Sequence, residues 1–175
     1  ISKLLSPENK IEQITVTARE DTLGFVSYDI ENSNSNPSKK DLENRICVAY
    51  AGRIAQMKKY GEDGLDMGAS SDLAYATKLA YVMIAKVGMD EELGHINLDG
   101  IPTRSARYGR RPEVEAIYKH KIEERMQTLL KELYIKTENL VATSWNKIDL
   151  LAKELLKKEV VHESEINDIM KTESK

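Results

Sequence analysis

A mainly α-helical fold with one small β-hairpin or sheet near the N-terminus follows from two observations. Apolar residues recur at helical spacing across residues 67–87, 112–140 and 146–158. Period-two alternation of β-branched residues is confined to the stretch between Ile11 and Tyr28. Hydrophobic residues make up 41% and charged residues 31% of the 175 positions, enough for one domain with a real core.

Taken in order, Ile1 to Leu5 read as the last turn of a helix that Ser6 and Pro7 stop, because proline disfavours helix in the residue before it. Ile1 is expected to lie within a longer polypeptide. In residues 11–18, Ile14, Val16 and Ala18 alternate with Thr15 and Thr17, which predicts a half-buried strand with those three inward. Asp21, Thr22 and Gly24 supply a turn, and Phe25, Val26, Ser27 and Tyr28 a second strand. No other strand is expected. Residues 31–38 are a polar loop. Ser38 with Asp41 resembles a capping box and opens a helix carrying Leu42, Ile46, Ala49, Tyr50 and Ile54 on one side. Gly52 inside that helix suggests close packing against another backbone. Cys47, the single cysteine, can form no intramolecular disulfide and is expected to be a buried thiol.

Residues 60–68 make a Gly- and acid-rich connector into the most patterned helix of the chain. Its inward face is Leu73, Ala76, Ala80, Met83, Ile84 and Val87, and Gly88 ends it. Asp72 stands in its first turn, near the border of the buried face. It can complement the positive end of the helix dipole, with Ser70 or Ser71 as N-cap, or its carboxylate can meet a group across an interface. Residues 89–111 show little regular pattern and are locally basic through Arg104, Arg107, Arg110 and Arg111. Pro112 starts a long helix with a stripe of Val114, Ile117, Ile122, Met126, Leu129, Leu130 and Leu133. A second helix faces Ile148, Leu151, Ala152, Leu155 and Leu156 inward, and Ser164 caps a short closing helix. Trp145 and the tyrosines are packing groups.

Several function classes are excluded or left without support. A net charge of −3 leaves no excess of Lys and Arg for nucleic acid. No run of about 18 apolar residues is present to span a bilayer. The sequence contains no phosphate-binding Gly-x4-Gly-Lys-Ser/Thr loop and no His-Glu-x-x-His pair. His95, His120 and His162 are not spaced as metal ligands and are taken as surface or core residues.

The run Gly68-Ala-Ser-Ser-Asp72-Leu, then Ala76-Thr-Lys-Leu-Ala80, then Val87-Gly-Met-Asp-Glu-Glu-Leu-Gly94 resembles the peptidase domain of the FtsH-type ATP-dependent zinc metalloproteases. Leu23-Gly-Phe-Val26 and Tyr50-Ala-Gly-Arg-Ile-Ala55 are similar as well, with Ala51 where that family usually has Gly. The resemblance covers almost the whole chain, although the C-terminal helices match only in pattern. It implies an FtsH-like helical peptidase domain over residues 1–175, with the metal-site and substrate-strand portion in 1–110 and a helical portion in 111–175.

The resemblance also assigns roles. Asp72 falls on the family's third zinc ligand, and Gly24, Phe25, Val26 and Ser27 on the strand that receives extended substrate. The order Ile1-Ser-Lys-Leu-Leu5, Pro7 and Ile14-Thr-Val-Thr17 follows the family's His-Glu-x-x-His helix, so the two histidines and the general-base Glu are expected upstream of Ile1. As these residues stand, the chain is expected to cleave nothing. The implied whole is a membrane-anchored zinc metalloendopeptidase degrading protein substrates. It assembles as a homo-oligomer, a hexamer, on the cytoplasmic or matrix side, with ATP used by an AAA module of the same polypeptide. The alternatives are a peptidase-dead paralogue holding substrate or oligomer, and a helical adaptor in which Asp72 only complements its helix.

Overall fold

A computed structural model describes residues 1–17, 24–28, 36–98 and 112–171, with side chains from 117 onward in the last span. The expected turn at Asp21 and Thr22, most of the 31–38 loop and the basic run from Arg104 to Arg111 lie outside the described residues. The rest is mainly helical with a small antiparallel sheet. It divides into two compact units, Ile1–Asn36 with Glu138–Lys175, and Pro37–Thr137.

The first unit holds α1 (Ser2–Leu5), β1 (Ile11–Thr15), β2 (Phe25–Tyr28), α5 (Trp145–Lys158), β3 (Val160–His162) and α6 (Glu163–Lys171). The sheet order is β2-β1-β3, both pairings antiparallel, so a third strand joins the expected hairpin from the far end of the chain. Ile14 lies opposite Val26 on one side and Val161 on the other. Of the residues expected inward, Ile14 packs on the core, Val16 just past the end of β1 is 45% exposed, and Ala18 lies outside the described residues, while Ile11 and Thr15 are buried. A bulge between Ile11 and Gln13 accounts for part of this. An extra residue changes which side chains share a face, so Ile11 and Ile14, an odd number of positions apart, both pack on the cluster of Val161, Ile166, Leu151, Leu155 and Met170.

Glu159 joins α5 to β3 in the left-handed conformation, φ 62°, with its N–H donating to Leu155 O at 2.8 Å and its carbonyl accepting from Val16 N at 3.0 Å. One residue thus ends α5 and aims β3 at β1. The closing helix starts at Glu163 rather than at a Ser164 cap, because β3 runs straight into it. Glu165 accepts the His162 N–H at 3.2 Å and satisfies a first-turn donor instead. On α5, Leu151 and Leu155 face the cluster, whereas Ala152 and Leu156 point to solvent; Leu156 is 83% exposed.

The second unit holds α2 (Lys39–Tyr60), α3 (Ser70–Tyr81) and most of α4 (Pro112–Thr143). The capping box forms as expected: Ser38 Oγ accepts Asp41 N–H at 3.2 Å and Asp41 Oδ2 accepts Ser38 N–H at 2.9 Å. Leu42, Ile46, Cys47, Ala49, Tyr50 and Ile54 are all buried. Tyr50 meets Tyr134 edge to face at 5.4 Å, and the Cys47 thiol lies 3.9 Å from Leu133 O. Gly52 is exposed, and a Cβ there would touch nothing within 4 Å, so it makes no close backbone contact among the described residues. Ile117, expected on the apolar stripe of α4, is 57% exposed.

α3 packs on α2 and passes directly into one π-helical turn, Val82–Lys86. That wider turn shifts the register by about one residue. Ala85 is thereby buried at 0% exposure, and Val87, expected inside, is 51% exposed. Gly88, φ 62°, closes the helix with Met89 N–H on Met83 O at 2.9 Å. Beyond it Asp90, 8% exposed, accepts from Glu92 N and Leu93 N at 3.1 and 2.9 Å and from Arg125 Nε at 3.0 Å. Burial alone would raise the Asp90 carboxyl, but the Leu93 N–H, the Arg125 guanidinium and the Glu92 N–H together hold it below the ordinary value.

Two outcomes follow for stability. A carboxyl depressed in the folded state stabilises above its unfolded value, about 3.9, and loses that contribution as pH falls through the folded value. Asp90→Asn is therefore expected to lower stability in urea by about 1–3 kcal/mol at pH 7, with the gap from wild type closing progressively between about pH 5 and pH 2. Glu159→Gly relieves the left-handed side chain and should raise the urea midpoint, by about 0.5–1 kcal/mol in stability.

Candidate functional site

The approach to Asp72 is built from turns. Gly61 leaves α2 at φ 72°, a 3-10 turn follows at Glu62–Gly64, and a second at Met67–Ala69 runs straight into α3. Asp66 heads that second turn: its Oδ1 accepts the Gly68 N–H at 2.8 Å. Ser70 donates its own N–H to Met67 O, and α3 carries no side-chain cap at its start. Neither Ser70 nor Ser71 is therefore the N-cap, because the 3-10 turn moves that role back to Asp66.

Side chains from α2 brace the same turn. Arg53 Nη2 donates to Asp66 O at 2.7 Å, and Arg53 Nη1 to Gln56 Oε1 at 3.2 Å. A hydrogen bond from Gln56, then the Gly68 N–H, holds the Asp66 carboxyl below its ordinary value. The acid at 66 was not singled out from sequence; the signal available was an acid two residues before Gly68 at the mouth of a helix.

Asp72 is exposed in the first turn of α3, with Ala76 fully buried four residues later. Helical side chains lean toward the N-terminus, which carries this carboxylate away from Ala76 toward the start of the helix. It makes no hydrogen bond or ion pair to another described residue. An oxygen donor on an ordered helix, without a partner among the described residues, suits one position of a zinc site. Among the described residues no three His, Cys, Asp or Glu side chains gather closely enough to hold a metal. His95, His120 and His162 are all exposed: His95 Nδ1 lies 3.0 Å from Gly88 O, and His120 Nε2 is 3.5 Å from Glu124.

Gly24, Phe25, Val26 and Ser27 belong to the other unit, at and within β2. β2 pairs with β1 on one side, and no described strand lies on its other side. Ser27 Oγ donates to Glu12 Oε2 at 2.7 Å, while Val26 is 41% exposed. Gly24 sits against β1: a Cβ there would fall 2.4 Å from Thr15 O and 3.2 Å from Val16 Cα. An exposed edge of this kind can accept an extended peptide through main-chain hydrogen bonds.

Among the described residues no helix is long and apolar enough to cross a membrane. A family model for peptidase family M41 matches residues 1–169. The chain is 33% identical over 168 residues to the ATP-dependent zinc metalloprotease FtsH 1 of Alkaliphilus metalliredigens, covering 96% of this chain and 27% of that protein. It is 32% identical over 160 residues to the ATP-dependent zinc metalloprotease YME1L1 of Homo sapiens, covering 91% of this chain and 19% of that protein. With the ATP-dependent zinc metalloprotease FtsH of Haemophilus influenzae it shares 24% identity over 176 residues, 99% of this chain and 28% of that protein. The chain thus spans roughly a quarter of the length of the curated relatives it matches.

The tight approach of Gly24 to β1 has a measurable consequence. Gly24→Ala forces β1 and β2 apart and is expected to cost about 1–3 kcal/mol in thermal or urea unfolding. Ser27→Ala, which removes one exposed hydrogen bond, should cost about 1 kcal/mol or less.

Proposed function

Because this chain belongs to peptidase family M41, we propose that it is the peptidase domain of an ATP-dependent zinc metalloendopeptidase, with Asp72 as a zinc ligand. The observation that carries the assignment is the uncommitted, solvent-facing carboxylate of Asp72 in the first turn of an anchored helix. Two histidines and a general-base Glu complete the site from a segment N-terminal to Ile1.

In this reading each residue has a limited task. Asp72 contributes one carboxylate oxygen to the metal. Bound zinc supplies a Lewis acid that lowers the pKa of water and polarises a carbonyl. β2 holds an extended substrate by its main chain and therefore selects for conformation more than for sequence. The reaction is hydrolysis: the C–N bond of the peptide breaks, hydroxyl joins the acyl carbon and a proton goes to the leaving amine. The full protein would be membrane-anchored, with this domain on the cytoplasmic or matrix side of a homohexamer. Unfolded protein would reach it from an AAA module that uses ATP. The curated relatives named above are ATP-dependent zinc metalloproteases, which supports the zinc and ATP parts of this reading.

Elemental analysis of the full-length polypeptide tests the assignment. About one zinc per chain is expected, lost in Asp72→Ala together with ATP-dependent cleavage of an unfolded protein. Zinc retained by Asp72→Ala would remove the ligand role and leave Asp72 as an acid at a helix N-terminus. Absence of zinc in the wild type would favour a peptidase-dead scaffold.

A further inference from the structure

We propose that Asp66, braced by Arg53 and Gln56, is a positioning residue for Asp72. The inference rests on the zinc-ligand reading of Asp72 and concerns what determines where that carboxylate stands. α3 has no side-chain cap of its own, and Asp72 makes no bond to another described residue. Among the described residues, its location is set by the backbone of the first turn. That backbone is continuous with the 3-10 turn Met67–Ala69, through the Ser70 N–H on Met67 O.

The 3-10 turn is in turn closed by Asp66 Oδ1 on Gly68 N–H at 2.8 Å and tied to α2 by Arg53 Nη2 on Asp66 O at 2.7 Å. Gln56 steadies Arg53: its Oε1 accepts from Arg53 Nη1 at 3.2 Å. Arg53 and Gln56 lie three residues apart on one side of α2, so one turn of a long helix anchors the entrance to the next. A polar cap at this place fixes the direction of α3 without occupying Asp72. Groups that orient a ligand without touching the metal alter affinity by about 10–100-fold when removed.

The test uses the full-length protein and zinc affinity measured by competition with a chromophoric chelator, with cobalt(II) absorption as a second readout. Asp66→Ala is expected to weaken zinc binding about 10–100-fold and to change the cobalt band shape. Asp66→Ser, which keeps an oxygen acceptor for the Gly68 N–H, should restore both to near wild type. Arg53→Met should weaken binding about tenfold and carries the test should Asp66→Ala not fold. A purely structural role would lower the melting temperature of the zinc-free protein yet leave affinity and cobalt spectrum unchanged, and that result overturns the proposal. Zinc lost in Asp72→Ala but held at wild-type affinity in Asp66→Ala and Arg53→Met refutes the positioning role alone. Zinc unaffected by Asp72→Ala overturns the ligand reading, and the positioning role with it.

Discussion

Ala76 and Ala80 have no exposed surface, and α3, the helix that carries them, packs on α2. Small side chains at a helix contact let the two axes approach closely, and such a contact tolerates little rotation. Every later feature of the second unit depends on that fixed rotation. It leaves Thr77 and Lys78 on the outer side, and Asp72 in the first turn is exposed as well. It also determines which residues after Tyr81 can be buried, and there the α-helical period no longer fits. The π turn at Val82–Lys86 buries Met83, Ile84 and Ala85 in succession, a run that a 3.6-residue repeat cannot place on one narrow face.

Much of this was legible from local pattern. The capping box at Ser38, the buried face of α2, the burial of Cys47 and the stop at Gly88 depend on residues within a few positions of one another, and all are present. What was not legible depends on partners distant in sequence. β3 is three residues long and too short to show alternation; its identity as a strand comes from pairing with β1, almost the whole chain away. The bulge between Ile11 and Gln13 brings Ile11 onto the face of Ile14, and no residue type announces it. Gly52 shows the limit from the other side. Its cost in a helix can signal close packing, but the same residue on an open face signals nothing.

The candidate site was legible in part for the same reason. The place of Asp72 at the head of a patterned helix follows from spacing, whereas its exposure is set by the packing of the folded chain. The bond from Arg53 on α2 to Asp66 at the entrance to α3 joins residues that no periodicity connects. Asp90 and Arg125, 35 positions apart, form the same kind of link between a turn and α4. Charged residues are usually solvated, so their pairing across elements appears only once the helices are packed.

Both candidate functional features are held by backbone contacts rather than by packing of their own side chains. Gly24 meets the Thr15 carbonyl so closely that a side chain has no room, and β2 therefore owes its position to β1. Asp72 has no side-chain partner among the described residues. A carboxylate on two torsions cannot be placed to within about half an ångström by its own rotamer when nothing packs against it. Whatever precision a ligand needs at this position must come from the backbone beneath it. That backbone enters α3 through a turn closed by Asp66 on Gly68 and tied to α2 by Arg53 on Asp66 O, so the geometry of an exposed carboxylate is decided six residues earlier.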